Sequence, residues 1–148
     1  MKELIVIIDV SGSMYAMGKT FVVGNVLSTL SAFENFGDEE KLSVTKMQWD
    51  GTCAGLEKLI EKCSEKNVLL LTDGYALLDS CKLSKTIKSF LDKNQENFFV
   101  VRCGGDSANI SATKEFRRVR SVTADNVLYA VECFSDSGVA QAQEEDWE

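Results

Sequence analysis

Three short apolar runs constrain this chain most: LIVII at 4–8, VLLLT at 68–72 and FFVVRC at 98–103. Each has the length of a strand and is apolar at nearly every position, which suits a strand covered on both faces. Segments of helical period lie between them. In residues 19–36, Val23, Val26, Leu27, Leu30 and Phe33 recur three or four apart, and Gly37 follows where a helix would stop. Leu56, Leu59, Ile60 and Cys63 mark a second helix, and Leu83, Ile87, Phe90 and Leu91 a third. Leu42, Val44 and Met47 alternate with polar residues, as in a more exposed strand near a sheet edge. A helix near 109–119, a short edge strand at Ser121–Thr123 and a last helix from Asn126 to Phe134, capped by Asp125 or Asn126, complete the order. Strand and helix in alternation predict an α/β fold: Rossmann-like, doubly wound, with a mainly parallel sheet of about five strands and helices on both faces.

Composition removes several function classes. With 148 residues the chain fits one domain, read as 1–135, followed by an aperiodic acidic tail at 136–148. Leu4–Ile8 is too short to span a bilayer, and its closing Asp9 and brief leader Met1, Lys2, Glu3 do not suit a secretory signal. The formal net charge is −7, and four acids in the last five residues leave the rest at −3. Such a body lacks the basic footprint that nucleic acid requires; the one basic cluster, Lys114, Arg117, Arg118 and Arg120, reads as a solvated helix face. Five cysteines without a C-x-x-C pair point to a reducing compartment, so a cytoplasmic location is expected. The chain has no histidine, which argues against a zinc site and removes the usual base for a serine or cysteine nucleophile.

In an open doubly wound sheet, ligands gather at the carboxyl ends of the strands, here the loops after Ile8, Trp49, Thr72 and Cys103. The first of these, IVIIDVSGSMYAMGKT, admits more than one reading. A phosphate loop needs G-x-x-x-x-G-K-[ST], but five residues separate Gly12 from Gly18 where four are required. An aspartyl phosphotransferase needs a second carboxylate where Ser11 stands, and a hydroxyl cannot do its acid–base work near neutral pH. The metal reading uses more of the residues. Asp9, Ser11 and Ser13 alternate, so one loop can turn three oxygens toward a point, and hard cations such as Mg2+ take oxygen ligands.

IDVSGSM resembles the D-x-S-x-S signature of the von Willebrand factor A (vWA) domain family and its metal ion-dependent adhesion site (MIDAS). Two further elements fit that resemblance, in the expected order: WDGT with Thr52, similar to the family's G-G-T loop, and LLLTDG with Asp73, similar to its T-D-G strand end. The resemblance implies that Ser11 and Ser13 ligate Mg2+ or Mn2+ through their hydroxyls, that Asp9 and Asp73 act mainly through water or by supporting the ligands, and that Thr52 ligates when a partner is engaged. It also implies an open position for an Asp or Glu of a protein partner. Asp50 departs from the pattern, standing where the family has its first glycine, and residues 39–49 leave room for one strand or a very short hairpin. Lys19 is expected to lie at the start of the helix, lining the partner surface.

The expected function is therefore a non-enzymatic, divalent-metal-dependent protein-interaction module, an adaptor or recruiting subunit of the compact intracellular bacterial type. It would bind neither nucleic acid nor membrane. Two alternatives stay open: a P-loop-like nucleotide hydrolase using Gly12 to Thr20, and a metal-free interaction scaffold.

Overall fold

A computed structural model of the chain describes residues 2–36, 42–108, 110, 113, 114 and 116–134. Gly37 and the acidic tail at 136–148 lie outside the described residues. Five strands, β1 (Lys2–Asp9), β2 (Leu42–Trp49), β3 (Val68–Thr72), β4 (Phe98–Arg102) and β5 (Arg120–Thr123), pair in parallel in the order β2-β1-β3-β4-β5. Among the described residues four α-helices accompany them: α1 (Lys19–Phe36), α2 (Cys53–Ile60), α3 (Lys85–Lys93) and α4 (Val127–Cys133).

The period of two along each central strand divides the core into two layers. Ile5, Ile7, Val68, Leu70, Phe98 and Val100 face α2 and α3, packing with Leu56, Ile60, Ile87 and Phe90. Their neighbours Leu4, Val6, Leu69, Leu71, Phe99 and Val101 face α1 and α4, packing with Val26, Leu30, Val127 and Ala130. Strands covered on both sides have no face to give to polar residues, which is why these runs are continuously apolar. The result is the doubly wound parallel sheet expected from the alternation. Residues 42–49 supply a single edge strand, β2, which among the described residues pairs with β1 alone.

Three local expectations are corrected. No α-helix occupies 109–119 among the described residues; Ile110, in a 3-10 conformation, Phe116, in a turn, and Val119 are buried against the α2–α3 layer. Their six- and three-residue spacing gives a helix only one matching pair, too little to offset the cost of nucleation. Leu83 is 75% exposed and precedes α3, because Ser84 sets the start of that helix by accepting the Ile87 N–H at 3.2 Å. The third concerns Lys19 and belongs to the site. Among the described residues no helix is long and apolar enough to cross a membrane.

The chain runs from β1 outward to β2, then returns across β1 to β3. This reversal of direction opens the carboxyl ends of β1 and β3, where Asp9 closes one strand and Asp73 follows the other.

Candidate functional site

Asp9 is 1% exposed, and each of its oxygens has a partner. Oδ1 accepts the Ser11 N–H at 2.8 Å, and Oδ2 accepts the Thr72 hydroxyl at 2.6 Å from the neighbouring strand tip. Thr72 Oγ1 in turn accepts the Gly74 N–H at 3.0 Å, so one chain of bonds fixes both strand exits. After Asp9 the backbone makes a turn of 3-10 helix, Gly12–Tyr15, anchored by buried Met14. Met17 and Gly18 then take left-handed conformations, φ 58° and 75°, which turn the chain into α1.

Asp73 is fully buried. Burial would raise its pKa, but the Ser13 hydroxyl, the Lys19 ammonium and the Tyr75 N–H all donate to it and hold it below the ordinary carboxylate value. Lys19 is 1% exposed, with Nζ 3.0 Å from Asp73 Oδ2, 3.1 Å from Asp106 Oδ2 and 3.3 Å from the Ser13 carbonyl oxygen. Three acceptors meet three N–H groups. Burial pulls the Lys19 pKa down, but the two carboxylates outweigh it and the ammonium stays above its ordinary value. Lys19 therefore points into the protein instead of lining a partner surface.

Gly104, at φ 99°, makes room for this side chain: a Cβ there would stand 2.8 Å from Lys19 Cε. Gly51, at φ 89°, does the same for Ser11, whose Cβ would be 2.7 Å from an added Cβ. That packing sets the Thr52 loop against the first loop, and the Trp49 indole N–H secures it by donating to the Thr52 carbonyl at 2.8 Å. The Thr52 hydroxyl is already engaged, donating to Asp50 Oδ1 at 2.7 Å and accepting the Gly55 N–H at 3.0 Å as the cap of α2.

Four of the five expected site residues, Asp9, Ser11, Ser13 and Asp73, thus share one bonded cluster, and Thr52 adjoins it through Gly51. Within the cluster the Ser11 hydroxyl is buried without a hydrogen-bond partner among the described residues, an arrangement that ordinarily costs about 1–3 kcal/mol. It is an oxygen that the described residues do not satisfy. Among the described residues no three acidic or cysteine side chains come together as a metal-binding group, so a cation here would rest on hydroxyls. A hard divalent ion fits that donor type, with two carboxylates close by to balance its charge. Nearby Cys103 is fully buried, and burial, with the Asp73 and Asp9 charges, pushes its thiol up to about 12. Comparison with protein-family models, with curated proteins and with solved structures finds no match to this chain.

The sequence did not single out Lys19, Asp106 or Thr72 as members of this cluster. The loop after Cys103 was expected to carry chemistry, and the first acid in it, Asp106, is the one that reaches Lys19. Four large side chains are exposed on the loops around the cluster: Tyr15 is 66%, Met17 75%, Phe21 78% and Tyr75 40% exposed. Tyr15 and Met17 leave β1, Phe21 opens α1 and Tyr75 follows β3, so all four belong to the same edge.

Proposed function

We propose that this chain is a vWA-like protein-interaction module whose carboxyl edge holds Mg2+ or Mn2+ and, through it, an Asp or Glu of a protein partner. The observation that carries the reading is the buried, unpartnered Ser11 hydroxyl in a bonded cluster with Asp9, Ser13 and Asp73. Ser11 and Ser13 would hold the ion, Asp9 and Asp73 would orient those hydroxyls and balance charge, and Thr52 would join by giving up its hydroxyl bond to Asp50. When bound, the ion would supply the positive charge that lets an acidic side chain approach an edge otherwise lined by carboxylates. The exposed Tyr15, Met17, Phe21 and Tyr75 on this edge support a macromolecular partner, because exposed aromatic and methionine side chains favour protein contact. A cytoplasmic adaptor role without enzymatic activity accords with this reading.

A nucleotide hydrolase has less support. Its phosphate lysine would be Lys19, whose N–H groups are all directed at acceptors inside the protein. A metal-free scaffold keeps one supporting observation, the Thr52 hydroxyl already satisfied within the chain.

Calorimetric titration with Mn2+ and Mg2+ tests the proposal. The wild type should bind one ion, and a Ser11→Ala, Ser13→Ala variant with an unchanged circular dichroism spectrum should bind none. Identical titrations for the two proteins would remove the metal from the account.

A further inference from the structure

The chain places a cation of its own beside the proposed metal position. Lys19 Nζ touches the Asp73 carboxylate and the carbonyl of Ser13, residues that also belong to the ligand cluster, and it draws in Asp106, whose two oxygens both lie 3.1 Å away. Tyr75 closes the cage, with its ring centroid 5.8 Å from Nζ and its hydroxyl bonded to the Asp106 carbonyl. The absence of a side chain at Gly104 admits the lysine stem. These contacts come from three separate stretches of the chain, so the cage is a built feature of the fold.

From this we infer that Lys19 is a tethered counter-ion that shares Asp73 with the divalent ion, weakening cation binding at Ser11 and Ser13 while keeping the edge folded when no ion is bound. The inference rests on the metal reading of this edge. Its physical basis is charge. Asp9, Asp73 and Asp106 put three negative charges on this edge without converging on one point as a ligand group, and Lys19 offsets one. An arriving divalent ion meets two net negative charges instead of three and is repelled by the ammonium at short range. Because the ammonium cannot diffuse away, it acts at every ion concentration. The site is consequently set for an ion that binds and leaves, as suits a contact made only when the partner's carboxylate adds its own charge.

The experiment is a Mn2+ titration, read by calorimetry and by the paramagnetic signal of free Mn2+, on the full chain and two variants. Lys19→Met removes the ammonium. Lys19→Met with Asp106→Asn also removes the carboxylate that the lysine leaves unmatched, and so retains a folded protein if the single variant unfolds. Lys19→Met should bind Mn2+ at least tenfold more tightly than wild type, the double variant, which matches wild type in net charge but lacks the ammonium on Asp73, should gain less, and adding Ser11→Ala should abolish either gain. If the wild type binds Mn2+ and the folded variants bind it equally or more weakly, the inference falls while the metal reading survives. If only the variants bind, the inference stands in its strongest form and metal-dependent capture by the wild type is lost. No binding by any of them would overturn both.

Discussion

Asp73 and Asp50 both follow a strand at the carboxyl edge, and both are held below the ordinary carboxylate value, yet by different means. Asp50 is exposed, and the Thr52 backbone N–H and hydroxyl, at 2.9 and 2.7 Å, suffice to lower it. Asp73 is fully buried and would be driven upward by that burial without Ser13, Lys19 and the Tyr75 N–H. A solvated carboxylate can be served by its own loop, whereas a buried one needs a cation, and that cation comes from 54 positions away in the chain. The two acids should therefore respond very differently to loss of their partners.

The largest effect should follow removal of the lysine. Lys19→Met leaves Asp73 buried beside Asp106 with no cation, and breaking a buried ion pair in this way costs about 3–5 kcal/mol. Asp50→Asn, which leaves an exposed side chain able to accept the same local bonds, should change stability far less. Urea unfolding of both variants in chelator measures the contrast. Equal losses would mean that burial does not distinguish the two sites.

The pH dependence sharpens the same comparison. Because the folded Asp73 pKa is depressed, its stabilisation is present above the unfolded value of 3.8 and is lost as pH falls through the lower folded value. The Lys19 pKa is raised, so its share is present below the unfolded value of 10.5 and is lost as pH rises through the higher folded value. The pair should thus add a constant term between about pH 5 and 9, taking both groups as fully ionised there. In Lys19→Met the lowering by the ammonium is lost while the Ser13 and Tyr75 donors remain, so the folded Asp73 pKa should rise relative to wild type. That variant should therefore lose less stability than wild type as pH falls through the acid range, a difference visible in the urea midpoint.

This contrast also explains what could be read in advance. The strands were legible because covering both faces of the sheet forces continuous apolar runs, and α1 because its contacts with the sheet repeat every three or four residues. Asp9, Ser11 and Ser13 stood out because they are close in sequence and share one strand exit. Lys19 was opaque for the opposite reason. Within GKT it reads as a surface or phosphate-binding lysine, and the groups that bury it, Asp73 and Asp106, are 54 and 87 positions distant. The segment near 109–119 misled in a related way: its charges suggested a helix face, while Ile110, Phe116 and Val119 answer to the sheet layer they cover. Local pattern reports local structure, and a buried charge is settled by tertiary partners.

The smallest effect belongs to the exposed side of the comparison. Thr52 caps α2 through its hydroxyl, so Thr52→Ala should cost about 1 kcal/mol, while Thr52→Ser keeps the oxygen and should cost much less. The same oxygen is bonded to Asp50 and, in the proposed function, must leave that bond to reach the ion. Asp50→Ala removes this competitor without touching the oxygen. If Thr52 ligates, Asp50→Ala should strengthen Mn2+ binding in the presence of an acidic partner peptide, and Thr52→Ala should weaken it beyond what its stability loss accounts for. If Thr52 is only a cap, both variants will move the thermal midpoint and leave the Mn2+ titration where the wild type has it.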